Sequence, residues 1–250
     1  MPILRLAELR SPEVRALLDA GRPVVVLLPV GSVEPHGPHL PLATDTLISE
    51  GACERAAALL EARGLAAVLA PAIPYGVTDF AEGFAGAVSI APAALTAFVR
   101  ATTEALLRAG FVHVCIVNNH LEPAHDAAVR ASIAGFEPGR ATVACPLTRR
   151  WARTLSDEFK SGACHAGRYE TSLVLATRPE LVLAEAMVGL DEVPVSLSTG
   201  IREGKHTFAA MGMHAAYAGA PKNATAEEGD TQLALLAAMI DGEVAEALGR

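Results

Sequence analysis

VVVLLPVGSVEPHGPHLPLATD, residues 24–45, sets the frame for the whole chain. Its first part, Val24 to Val30, is a continuous apolar run, the pattern of a strand buried on both faces of a parallel sheet. Gly31 and Ser32 end that run. The proline-stiffened segment that follows gathers Glu34, His36, His39 and Asp45. A second apolar run, Val112 to Val117, leads into NNHLEPAH at 118–125, which carries His120, Glu122 and His125. Imidazoles and carboxylates at the ends of two strands are the donor set of a divalent-metal site.

Working outward, Ser11-Pro12-Glu13 reads as an N-cap, a proline at the first helical position and an acidic first turn, opening a helix to about Ala20. From Asp45 the apolar spacing turns helical, with Ile48, Ala52, Ala56, Leu59 and Leu60 on one face and Gly64 as the stop. Ala67 to Ala70 is a further strand candidate, and Thr142 to Ala144 a weaker one. Helices are expected over about 91–109, 123–133 and 168–177, and over 226–248 behind a Thr225–Glu228 capping box. Pro194 to Gly219, rich in Gly and Ala, reads mostly as loop. Strands alternating with helices at crossover spacing predict a single α/β domain, with a mostly parallel sheet flanked by helices on both faces. In such folds ligands bind beyond the carboxyl ends of the strands, so the two polar clusters are expected to converge.

Composition narrows the function classes. At 250 residues the chain suits one large domain, which buries roughly 75% of its extended-chain surface. The hydrophobic fraction of 51% and charged fraction of 19% suit a soluble, compact enzyme. A net charge of −8 with no basic stripe argues against nucleic acid or an anionic membrane as partner. No apolar run reaches the ~18 residues of a membrane span. The N-terminal MPILRLAELR has no apolar stretch of the kind a secretion signal needs. Cys53, Cys115, Cys145 and Cys164 are widely spaced, as expected of reduced thiols in a cytoplasmic protein.

Each candidate residue has a bland reading beside the functional one. Glu34 and His36 fit either a solvated loop pair or a ligand pair. His39, between Pro38 and Pro41, fits packing in a rigid turn as well as a place in the site. Asp45 before a helix fits an N-cap, although a carboxylate can cap and ligate together. His120, with two asparagines before it and Glu122 just after, is hard to read as a core filler. Glu122 and His125 have a Glu-x-x-His spacing, but Pro123 opens the helix, so His125 is expected behind the ligands rather than among them. Cys164 beside His165 raises a nucleophilic cysteine, yet sequence neighbours rarely face each other at catalytic distance. His165 as general acid or base, with Glu170 as its orienter or as a further ligand, fits better. His113 sits inside a strand and reads as core. His206 and His214 lie in a loop that would cover the site and receive no role.

At this point the motifs resemble a known family. GSVEPHGPHLPLATD is similar to the GSxEQHGPHLPLxTD signature of creatininase-type amidohydrolases. PYGVTDF with Thr78, HAGRYETSLVL and GAPKNATAEEGD resemble three further blocks of that family, so the likeness spans about residues 24–232. The resemblance implies a layered α/β hydrolase holding two divalent ions, Zn²⁺ and/or Mn²⁺. Glu34, His120 and a bridging Asp45 would hold one ion, and His36, Asp45 and Glu122 the other. His165 would contact a small-molecule substrate and shuttle protons, with Glu170 beside it. Family members typically form homohexamers, as trimers of dimers.

The chain departs from the creatininases proper in ways that bear on substrate. Leu121 stands where they have an aromatic residue, and Ser161 and Gly162 lie near where they have a tryptophan and an aspartate. The only tryptophan here is Trp151. Aromatic walls for a flat creatinine ring are therefore incomplete, which bears on creatinine as the substrate more than on amide hydrolysis. The expectation is hydrolysis of a non-peptide C–N bond, in a cyclic amide or formamide, by a metal-activated water. The alternatives are a lactone or cyclic-sugar hydrolase, a cofactor-peptide peptidase on the same metal site, and a non-catalytic metal-binding assembly protein.

Overall fold

Val24–Val30 (β2) lies at the centre of a five-stranded sheet in which every strand pairing is parallel. The computed structural model describes residues 3–250. In chain order its elements are β1 (Leu4–Arg5), α1 (Ser11–Asp19), β2, α2 (Thr44–Ala62), β3 (Ala66–Leu69), α3 (Pro92–Arg108), β4 (His113–Asn118), α4 (Pro123–Ser132) and β5 (Ala141–Ala144). Beyond the sheet come α5 (Arg149–Ala152), α6 (Asp157–Ser161), α7 (Arg168–Thr177), α8 (Ala184–Val188), α9 (Leu197–Arg202), α10 (Phe208–Met211) and α11 (Ala226–Leu248).

The strand order β1-β3-β2-β4-β5 decides where chemistry can happen. From β2 the chain winds to β3 on one side, then crosses back to β4 on the other. Because such crossovers keep one hand, the reversal puts α2 and α3 on opposite faces. The strand residues confirm it by alternating. Val25, Leu27, Cys115 and Val117 join the core with α2, α7 and α11, while Val26, Leu28, Val114 and Ile116 join the core with α3 and α4. Both faces are covered, which explains why β2 and β4 read as unbroken apolar runs. The reversal leaves the carboxyl ends of β2 and β4 side by side, with Val30 in register with Asn118. This is the topological switch point at which open α/β sheets bind ligands.

The strands and long helices fall where the periodicity places them. The two-residue β1 is too short to leave an alternation in sequence. Two short helices, α9 and α10, interrupt the segment read as loop between Pro194 and Gly219. Elements of four to six residues carry too little periodicity to be legible. The cap of α1 is Arg10 rather than Ser11, and Glu13 accepts the Arg10 backbone N–H at 2.6 Å. Asp45 caps nothing: it sits inside the first turn of α2, behind the cap residue Ala43. Among the described residues no helix is long and apolar enough to cross a membrane.

Helix α11 packs closely on α7, the helix that carries Glu170. Gly229 of α11 meets the Ser172 carbonyl of α7, and a Cβ there would fall inside that carbonyl. Overpacking of a close backbone contact costs about 1–3 kcal/mol. Gly229→Ala is therefore expected to lower unfolding free energy by about 2 kcal/mol in urea titration; a change below about 0.5 kcal/mol would show that the two helices have room to slide.

Candidate metal centre

The loop after β2 and the turn after β4 deliver their side chains into one buried cluster. Glu34, His36, Asp45, His120, His165 and Glu170 are each no more than 6% exposed. Asp45 stands in the middle. Its Oδ2 lies 3.0 Å from His120 Nδ1, and its Oδ1 lies 3.2 Å from His36 Nε2. Glu34 Oε1 reaches His120 Nδ1 at 3.1 Å and His36 Nε2 at 3.6 Å. Glu170 Oε2, from the first turn of α7, reaches His36 Nε2 at 3.5 Å. The donor atoms form three overlapping triads: Glu34–Asp45–His120, His36–Asp45–Glu170 and Glu34–His36–His165. The first two share Asp45 through different oxygens.

A further layer of bonds fixes which nitrogen faces the cluster. His36 Nδ1 is 3.0 Å from the Glu34 carbonyl, His120 Nε2 is 2.7 Å from the Val77 carbonyl, and His165 Nε2 is 3.0 Å from the Pro35 carbonyl. A carbonyl only accepts, so each of these nitrogens carries a proton, and the other nitrogen is the one that faces inward, where a cation could replace any proton it holds. His36 Nε2 is buried without a hydrogen-bond partner. The carboxylates are braced likewise. Ser32 Oγ donates to Asp45 Oδ2 at 2.7 Å, and Thr78 Oγ1 donates to Glu34 Oε2.

Among the described residues no Lys or Arg pairs with Glu34, Asp45 or Glu170; the ion-pair contacts of these carboxylates run to histidines. Burial works against charging His36, but Asp45, then Glu170 and Glu34, overcome it and lift its pKa to about 10. His120 is likewise raised well above its ordinary value: burial opposes, and Glu34 and Asp45 prevail. Burial would raise Asp45, yet His120 and His36 hold it well below the usual range. Glu170 goes the other way, to about 8, because burial outweighs His36. The cluster thus calls for positive charge at the inward nitrogens and carboxylate oxygens. Hard oxygens with imidazole nitrogens and no thiolate form a donor set that fits Zn²⁺ or Mn²⁺.

Not every candidate joins the cluster. Glu122 lies beside it but turns to the backbone, accepting the N–H groups of Asp79 at 3.1 Å and Phe80 at 3.2 Å. It belongs to none of the three triads, and Glu170 takes the place beside His36 and Asp45. Glu170 does not orient His165; the Pro35 carbonyl does, while Glu170 Oε2 accepts the Ala166 N–H at 2.7 Å. His125 lies beside the cluster and outside the triads, its ring 4.6 Å from His120 and its Nδ1 accepting the Val77 N–H at 3.3 Å. His39 is packed in its turn, 2.8 Å from Thr171 Oγ1. Burial drives the Cys164 thiol well above its ordinary pKa, the reverse of what a nucleophile needs. His113 is core, bonded to the Gly139 carbonyl and Thr142. His206 and His214 are exposed.

Above the cluster opens a cavity of about 460 Å³. Glu34, Asp45, His120, His165 and Glu170 line it with Glu122, and Phe80, Leu121, Leu147, Phe159, Leu197 and Phe208 supply much of its apolar wall. The Phe208 ring lies 4.2 Å from that of His165, and Phe80 and Phe84 meet Phe208 edge-on. Sequence reasoning missed Ser32, Phe80 and Phe208. A lone phenylalanine in a Gly- and Ala-rich stretch was the only signal for Phe208. Trp151 is not part of the cavity: its Nε1–H donates to Glu243 at 2.6 Å.

Comparison with known proteins agrees with the motifs. The family described as "Creatininase: Creatinine amidohydrolase" matches residues 7–244. The chain is similar to the mycofactocin precursor peptide peptidase of Mycolicibacterium smegmatis, 33% identical over 227 residues, covering 87% of this chain and 82% of that one. It is also similar to the creatinine amidohydrolase of Pseudomonas putida, 28% identical over 205 residues, covering 73% and 75%. Among solved structures, one described as "Creatininase Mn" superposes with a TM-score of 0.75 at 24% identity, covering 99% of this chain and 100% of that one. A creatininase variant of "Zn-Zn type" reaches 0.78 at 23% identity, covering 100% of both. A match along nearly the whole length places this chain in the creatininase family.

Proposed function

We propose that the protein is a dinuclear metal-dependent amidohydrolase that cleaves a C–N bond in a substrate bearing a bulky apolar group. The observation that carries the reading is Asp45, whose two oxygens face two separate ligand sets. One ion would rest on Glu34, Asp45 and His120, the other on His36, Asp45 and Glu170. Glu122 stays in the proposal as a group in the cavity that can approach the second ion if its bonds to Asp79 and Phe80 open. When bound, a pair of such ions polarises a carbonyl and lowers the pKa of water toward ~7.

The chain supplies the rest. The Pro35 carbonyl keeps the His165 proton on Nε2, so Nδ1, 3.9 Å from Glu34 Oε1, faces the cavity floor as a base. His165 takes a proton there and passes it to the departing nitrogen. The Phe208 ring stacked on His165 fixes its plane. The apolar walls exclude water, so the charged floor acts in a low dielectric.

A peptide or similarly extended amide suits the cavity better than a small cyclic amide. The space is about 460 Å³, and the side chains around it offer apolar surface rather than a polar frame for a small ring. The similarity to a peptide peptidase points the same way. The four free thiols support a cytoplasmic location. A homo-oligomer, the hexamer included, stays part of the proposal, and Phe98, 59% exposed beside a groove between α1 and α3, is a candidate contact for it.

Three outcomes test the reading. Asp45→Ala is expected to lose both ions together, read as metal content per chain by plasma emission; two ions retained would rule out the shared ligand. His165→Ala is expected to keep the metal and lose roughly 10²–10⁴-fold in kcat; full turnover would remove it from proton transfer. With a panel of short peptides, formamides, cyclic amides and lactones, Phe208→Ala is expected to raise KM roughly tenfold for aromatic peptides and little for the small amides. Equal effects across the panel would detach the apolar wall from specificity.

A further inference from the structure

Glu158 in α6 is a half-buried carboxylate outside the metal centre, with no part in the chemistry described above. Its Oε2 accepts the backbone N–H of Tyr169 at 2.6 Å, and its Oε1 accepts that of Ala220 at 2.9 Å. The carboxylate fills a cradle that two glycines leave open. A Cβ on Gly167 would lie 2.7 Å from Oε2, and one on Gly219 would collide with Oε1. Glu158 therefore ties the start of α7 to residues 219–220. The same two segments are joined again by the Ala218 N–H, which donates to the His165 carbonyl at 2.8 Å.

What these ties hold is strained. Ala166, between His165 and Gly167, has φ +50°, a left-handed conformation that costs a non-glycine residue of order 1 kcal/mol and persists only where its surroundings over-determine it. Glu170 grips it from the cluster side through the Ala166 N–H. Glu158 grips the far side of the same turn. The turn presents His165 at one end and Glu170 at the other, so a small rotation there moves both inward-facing groups.

We infer that Glu158 is a positioning residue: its carboxylate clamps the 164–170 turn against residues 218–220 and so sets where His165 and Glu170 stand. The inference rests on the reading of the cluster as a metal centre. A glutamine cannot replace it, because both oxygens accept backbone N–H groups and an amide nitrogen has no acceptor to offer.

The test uses the full-length protein and Mn²⁺ alone. In calorimetric titration E158Q is expected to bind Mn²⁺ roughly 10–100-fold more weakly than the unmodified protein. E158D, which keeps two acceptors on a shorter arm, is expected to fall between and carries the test if E158Q does not fold. Trp151→Phe, which loses the remote bond to Glu243, is expected to lower the melting temperature without touching Mn²⁺ affinity. Mn²⁺ binding by E158Q and E158D within about twofold of the unmodified protein would overturn the inference. Should the unmodified protein take up no metal, the metal reading fails on its own. The clamp is then decided by the NMR signal of the His165 ring, which E158Q is expected to shift and Trp151→Phe is not; an unmoved signal overturns it.

Discussion

Three carboxylates and three imidazoles share one buried space at the adjoining ends of β2 and β4, with no Lys or Arg paired to the carboxylates among the described residues. Moving such groups out of water costs several kcal/mol each unless a counter-charge and hydrogen bonds compensate. In the structure the counter-charge is borne by His36 and His120, both raised well above an ordinary imidazole. The inward nitrogens that bear it are the atoms a divalent cation would engage instead. The rest of the molecule is arranged around supplying and holding that cluster.

The supply comes from strand order. Because winding reverses at β2, the loops after β2 and β4 leave the sheet as neighbours, and residues about 85 positions apart meet without a long excursion of either loop. The holding comes from residues 77–80, which connect β3 to the rest of the site. The Val77 carbonyl orients His120, the Val77 N–H rests on His125, Thr78 braces Glu34, and Phe80 forms a wall of the cavity. Glu122 fastens the end of this segment through two amides. Glu122, a candidate ligand by its spacing, thus also couples the cavity wall to the segment that braces Glu34.

How much of this is legible in the sequence follows from the range of the forces. β2 and β4 are buried on both faces, so their apolar runs announce them, and the clusters at their ends can be placed from the sequence alone. The choice between Glu122 and Glu170 cannot be read that way. It depends on which backbone amides each carboxylate finds, and those amides belong to Asp79, Phe80 and Ala166, remote from Glu122 or set by a turn of unusual φ. The tautomers of His36, His120 and His165 are equally silent in sequence, because each is set by a backbone carbonyl that every residue type carries. The family resemblance named the candidate residues, while the structure shows how they are oriented.

The same contrast separates chemistry from specificity. The groups of the buried cluster sit just beyond the ends of β2 and β4 and at or just before the first turns of α2 and α7, elements pinned by the core. Most of the groups that would meet the body of a substrate sit elsewhere. Phe80 is in a loop turn, Leu197 and Phe208 are on helices of six and four residues, and Phe159 is on one of five. Phe159 alone of these packs into the main core, against Tyr169; the loops and short helices that carry the others tolerate replacement without disturbing the sheet. Phe208 packs instead within a small separate cluster with Ala81, Met211, Met213, Ala216 and Ala218. A fold built this way can keep its buried carboxylate and imidazole floor while its walls are remade. On the proposed reading the floor carries the reaction class, which its motifs make legible in sequence, while the choice between an extended apolar amide and a small polar ring falls to the walls, which only the three-dimensional structure brings together.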